Sequence, residues 1–180
     1  MTFFNNPFFW AFISMFGLVG CGAVVSGTKL GRYPLFGAIM VIIFDLGRVL
    51  LVLPFCPQPR FEIWGMHMIT GGFIFIAGII FCAPAIIIKP VTAPDKTISL
   101  KTNGFYGIVR NPIYTGELLW CLGLAVCFRS VTGVVLIPIW WIGLLFHIAK
   151  EEESLERELG EVFLQYKKKV KGRIIPGLPI

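Results

Sequence analysis

Apolar runs long enough to cross a bilayer recur along this chain, and a soluble core of this size could not bury them all. They fall at about Phe8–Val25, Leu35–Phe55, Ile63–Ile88, Ile113–Phe128 and Val131–Ile148. Inside lipid only helices and closed barrels satisfy their own backbone polar groups, and runs of this length predict helices. Charged residues are 14% of the chain, against about a quarter in a soluble domain. The expectation is an all-α integral membrane protein with five transmembrane helices. The last two are short and form a helical hairpin turning at Arg129–Gly133. A charged, helix-prone tail, Ala149–Val170, follows, with Leu155, Leu159, Phe163 and Tyr166 on one face. The whole of 1–180 reads as one domain: a three-span scaffold over 1–90, then a loop, hairpin and tail over 91–180.

The first run lacks a basic segment before it, since Met1 to Pro7 carries no Lys or Arg, so it is expected to be a retained span rather than a secretory signal. Basic residues set the orientation. Of the 16, only Arg60 and Arg129 fall in the loops of one side, and Arg48 lies inside a span. The other side holds Lys29, Arg32, Lys89, Lys96, Lys101, Arg110 and all the basic residues of the tail. By the positive-inside rule the N-terminus faces out and the C-terminus is cytoplasmic. The lysine run Lys167–Lys171 would then meet anionic membrane lipid. The net charge of +6 follows the spans and implies no nucleic-acid partner. The five cysteines sit in or beside apolar runs without a CxxC pair, and there are two histidines. No metal-ligand spacing results, and the cysteines read as small buried side chains.

Three sets of polar residues stand out. Asp45 and Arg48 are three apart on one face of the second span and read as a self-sufficient pair. In the loop, Asn103-Gly104 is a turn and Arg110-Asn111-Pro112 begins the fourth span, with Asn111 as N-cap and Pro112 at the first helical position. Tyr114 and Glu117 share the next turn, and Glu117 needs a donor or a water-filled cavity. On the last span His147 and Glu151 are one turn apart and point the same way. Glu151 to Glu153 is a like-charge cluster that requires Arg110, Lys150 or a cationic ligand beside it. Glu153 and Glu156 read as solvated residues, Glu151 as functional. A sulfonium is compatible with such carboxylates and aromatic faces.

At these residues the chain resembles the isoprenylcysteine carboxyl methyltransferase family, with its related phospholipid and small-thiol membrane methyltransferases. The pattern is Leu100…Gly104-Phe105-Tyr106…Arg110-Asn111-Pro112-Ile113-Tyr114, a hairpin, then Glu151-Glu152…Leu155, Gly160, Tyr166, Val170 and Arg173-Ile174-Ile175-Pro176. The resemblance covers about Leu100 to Pro176. It implies methyl transfer from S-adenosylmethionine, with Leu100, Gly104, Tyr106, Asn111, Tyr114, Glu151 and Glu152 lining the cofactor site. A lipid-like or prenylated acceptor, such as an isoprenylcysteine carboxylate, would enter from the bilayer, oriented or activated by the catalytic candidates Glu151 and His147. Two positions depart from the pattern. Asn111 stands where the family usually has His, and His147 stands where many carboxyl methyltransferases have Arg. The second departure opens the acceptor to a phospholipid amine, a thiol or another isoprenoid. Arg110…Pro112…Tyr114…Gly116-Glu117-Leu118 also resembles membrane sterol reductases, which bind a nicotinamide cofactor such as NADPH. A non-catalytic membrane binding protein is the third reading.

Overall fold

Proline opens three of the six helices, at the position where its missing N–H costs no hydrogen bond. The computed structural model describes residues 3–29, 33–63, 65–87 and 100–179; Arg32, Lys89, Lys96 and most of the connector after the third helix lie outside them. The helices are α1 (Pro7–Val25), α2 (Pro34–Val52), α3 (His67–Ile87), α4 (Pro112–Cys127), α5 (Val131–Leu159) and α6 (Glu161–Lys169), with a 3-10 turn at Gly104–Gly107 before α4. Asn6 caps α1 by accepting from the Phe8 N–H at 2.9 Å, and Ser130 caps α5 by accepting from Gly133 N–H. Among the described residues the only β pairing is an isolated bridge between Arg60 and Ser130. The all-helical expectation holds.

Three helices, α1, α2 and α5, are long and apolar enough to cross a membrane, and α3 and α4 contain shorter apolar stretches. Large apolar side chains stand exposed in rows: Phe8, Phe12 and Phe16 on α1, Leu35, Ile39, Ile42 and Leu46 on α2, Phe73, Ile76 and Ile80 on α3, Ile139, Ile142 and Phe146 on α5. Such rows suit a lipid solvent and not water. Helix α4 differs, for none of its residues is fully exposed. It is the most enclosed of the apolar helices, packed chiefly against α3 and also against α5 and α2.

Small residues set the packing, as lipid-embedded helices require when no hydrophobic force drives them together. Helices α3 and α4 run antiparallel with their backbones almost touching. A Cβ built at Gly78 would lie 2.3 Å from Trp120 N, and one at Gly123 would lie 2.4 Å from Phe75 N. Helices α1 and α2 repeat the device, with Gly17 against the Phe44 backbone and Gly47 against Ser14. Helix α5 joins α1 through Trp140, whose indole N–H donates to Ser14 Oγ at 3.2 Å. Gly78→Val should therefore push α3 from α4 and cost about 3 kcal/mol. Gly72→Ala, which faces open space, should leave the melting temperature unchanged.

Three expectations change. The tightest partner of α4 is α3 rather than α5. Its turn into α5 is close, but α5 is no short hairpin arm: it has 29 residues and runs through the charged stretch to Leu159. Nothing between Ile148 and Leu159 breaks a helix, since the residues that end the apolar run (Lys150, Glu151, Glu152) are good helix formers. The break comes at Gly160, in the left-handed region at φ +53°, which only glycine adopts cheaply. The face drawn from Leu155 to Tyr166 survives that break, because Phe163, Tyr166 and Val170 pack with Leu100, Leu155 and Leu159. The third helix starts at His67 rather than Ile63, after a turn containing Gly65 at φ +74°.

Far from this cluster, Arg60 ties the opposite end of the bundle. Its guanidinium donates to the carbonyls of Val52 at 2.9 Å, Leu53 at 3.0 Å and Cys56 at 3.2 Å, and to Phe128 at the end of α4. One cation thus satisfies the open carbonyls of two helix ends, where the helix dipole also favours it.

Candidate active site

The chain after α6 folds back on the start of α4. Backbone N–H groups of Arg110 and Asn111 donate to the carbonyls of Gly172 at 2.8 Å and Arg173 at 2.9 Å, and Thr115 Oγ1 donates to Ile174 O at 2.8 Å. Arg110 locks this strap. Its Nη1 donates to the carbonyls of Val170 and Lys171, both at 2.7 Å, while its Nε donates to Glu152 Oε1 at 2.8 Å. Glu152 is 3% exposed and also accepts from Asn111 Nδ2 at 3.2 Å and Arg173 Nε at 3.1 Å. Both carboxylate oxygens are engaged, which suits a buried charge.

Asn111 occupies the N-cap position of α4, but its side chain makes no capping bond; it serves Glu152 instead. The acidic cluster is also resolved. Glu152 takes Arg110, Glu153 pairs with Lys150 at 2.9 Å, and Glu151 accepts from Tyr114 Oη at 2.7 Å. Among the described residues no ion pair includes Glu151. Of the three carboxylates it is the one with a neutral side-chain partner alone.

Beneath the strap lies a cleft of about 410 Å³. Leu100, Tyr106, Asn111, Tyr114, Glu151 and Glu152, six of the seven residues expected there, line it. Gly104 does not; it opens the 3-10 turn at φ +63° and shapes the loop that carries Tyr106. Tyr166 Oη donates to the Tyr106 carbonyl at 2.7 Å, and burial pushes its phenol up to about 12, so it stays a donor. Burial likewise raises Tyr106 above the usual tyrosine value, with the Glu151 charge adding to it.

A second cavity of the same size opens between α1, α2, α4 and α5. Leu18, Val24, Val41, Phe44 and Leu144 give it apolar walls, and Asp45, Glu117, His147 and Glu151 its polar ones. His147, expected beside Glu151, is here and absent from the first cleft's lining. The two cavities have Ile113, Tyr114 and Glu151 in common. Asp45 and Arg48 are not self-sufficient. Arg48 Nη2 bridges Asp45 and Glu117 while its guanidinium lies 3.7 Å from the Phe44 ring centroid and 4.6 Å from that of Trp120. Glu117 thus finds its donor on another helix, which spacing within one helix could not reveal.

Residues 61–162 match the phospholipid methyltransferase family, more than half of the chain. The chain belongs to that family. Two curated relatives of this phospholipid methyltransferase-family protein are the protein-S-isoprenylcysteine O-methyltransferases of Mus musculus and Rattus norvegicus. Each is 36% identical over 86 residues, covering 47% of this chain and 29% of the relative. The Delta(14)-sterol reductase of Methylotuvimicrobium alcaliphilum is 37% identical over 81 residues, 43% of this chain and 18% of its own. The chain therefore spans less than a third of the length of these relatives. No solved structure matches it.

One lining residue of this family member escaped the sequence reading. Lys101 reaches into the first cleft, and its Nζ is shielded from solvent with no hydrogen-bond partner among the described residues. It lies 5.3 Å from the Tyr106 ring centroid. Counted only as a loop charge, it carried no spacing signal that could have singled it out.

Proposed function

We propose that this protein transfers a methyl group from S-adenosylmethionine to a lipophilic acceptor held at membrane depth. The observation that carries this reading is that Tyr114 and Glu151 line both the cleft beneath the strap and the cavity between the helices. A donor and an acceptor that meet where the two cavities share these residues gain from alignment, which is most of what methyl transfer needs.

The first cleft fits the donor by its chemistry. Among the described residues it offers an unpaired ammonium (Lys101), a carboxylate without a cation (Glu151) and aromatic faces (Tyr106, Phe163, Tyr166). A zwitterionic nucleoside with a cationic sulfur can meet all three. When bound, S-adenosylmethionine supplies a methyl group activated by that sulfur. Leu100, Tyr106, Asn111 and Tyr114 would hold it, with Gly104 shaping the loop and Glu151 balancing the positive charge. Glu152 would act through Arg110 and Asn111 as a positioning residue. In the second cavity Glu151 and His147 would orient the acceptor, the bilayer excluding water. The polar residues there include Asp45, Tyr114, Glu117, His147 and Glu151, and Arg48 is taken up by Asp45 and Glu117. That set suits an uncharged or cationic reacting group, such as a lipid amine or thiol, better than a carboxylate.

In this reading five helices span the bilayer, α3 and α4 included, with the N-terminus outside and α6 and the strap at the cytoplasmic face. The basic residues support it: Lys101, Arg110 and the α6 lysines cluster at the cleft end, Arg60 and Arg129 at the other. The sterol reductase match favours a second reading, reduction by a nicotinamide cofactor. Melting curves with S-adenosylmethionine, S-adenosylhomocysteine and NADPH separate the two. Saturating methyl donor and its product should each raise the melting temperature by about 5–10 °C, and NADPH should not. Stabilisation by NADPH alone would move the assignment to a reductase; stabilisation by none would leave a non-catalytic membrane protein.

A further inference from the structure

The cleft contains one cation with no partner among the described residues. Arg110 is spent on Glu152 and the strap carbonyls, and Arg173 donates to Glu152. Among the described residues, Lys101 alone reaches the cleft with a buried ammonium that has no hydrogen-bond partner. A charge withdrawn from water without a partner is costly, and its neighbour there, the Tyr106 ring, offers only a weak cation–π contact at 5.3 Å. The other natural anion site, the start of α4, is partly occupied. The backbone N–H groups of Arg110 and Asn111, at the start of α4, are taken by Gly172 and Arg173 carbonyls, and Pro112 has none to give. A diphosphate would bring several charges to a single ammonium. A carboxylate brings one.

We propose that Lys101 receives the carboxylate of the methyl donor's amino-acid end and thereby sets the direction in which the donor lies. This rests on the methyltransferase reading. The carboxylate sits on the Leu100–Lys101 wall. The sulfonium sits on the wall of Tyr114 and Glu151, where the second cavity begins. Lys101 is then a specificity-determining residue: it distinguishes the complete donor from adenosine sulfoniums that lack the carboxylate.

The test is equilibrium binding to the purified full chain, with S-adenosylmethionine and its decarboxylated form as probes. The two share sulfur, amine and nucleoside and differ in the one group at issue. The wild-type protein should prefer the complete donor by about tenfold or more, the worth of one charge-assisted hydrogen bond. Lys101→Met should bring the two affinities together by weakening only the complete donor. Undiminished binding of the decarboxylated form shows that the variant is folded. Lys101→Arg, which keeps the charge, should retain part of the preference. Wild-type discrimination in Lys101→Met, or none in the wild type, would overturn the assignment of Lys101. Failure of the wild type to bind either probe would instead overturn the methyltransferase reading.

Discussion

Arg110→Met should lower the melting temperature by about 10 °C and abolish binding in the cleft. The substitution leaves Glu152 buried with one of its charge partners gone, and breaking a buried ion pair in this way costs about 3–5 kcal/mol. In a chain of this size each kcal/mol is worth about 2–4 °C. The loss would not be only local. The same guanidinium holds the Val170 and Lys171 carbonyls, so the strap keeps only its bonds from the Arg110 and Asn111 backbone, Thr115 and Arg173, and the cleft wall built on α6 loosens. Thermal melting in detergent reads the stability, and donor titration reads the cleft. A variant with wild-type melting and wild-type affinity would show that the strap holds without its arginine.

Glu151→Gln should keep the fold and reduce methyl transfer by about 10²–10⁴-fold, the usual range for a group that handles charge or protons at a reacting centre. An amide oxygen can still accept from the Tyr114 hydroxyl, so the 2.7 Å contact between α4 and α5 survives. What disappears is the negative charge on the wall between the cavities. Donor affinity should fall with turnover, whereas Arg110→Met also loses stability. Unchanged transfer by Glu151→Gln would remove the residue from the mechanism.

Much of this site could be read from spacing. Tyr114 lies just after Pro112, and Glu151 one turn after His147, so each helix presents its side chain at a known height. The resemblance supplied the expectation that the two meet. Where the reading failed, the determinants lay between elements. The end of α5 was misplaced because an abrupt fall in hydropathy marks where lipid stops, not where helical propensity does. Asn111 looked like a cap because nothing local shows that Glu152, forty-one residues on, would claim its amide. The Arg48–Glu117 contact needed α2 and α4 to be neighbours. The approach of α3 to α4 was invisible for a similar reason: glycines seven apart gain meaning only opposite a partner.

The strap places a requirement on biosynthesis. The carbonyls that orient Arg110, Asn111 and Thr115 belong to residues 170–174, so the cleft cannot assemble while those residues are still in the ribosomal tunnel. The long apolar helices α1, α2 and α5 can already be in the bilayer by then, leaving a nascent product that is inserted yet lacks the candidate site. Truncation before residue 170 should yield the same species, embedded in the membrane and without a working centre.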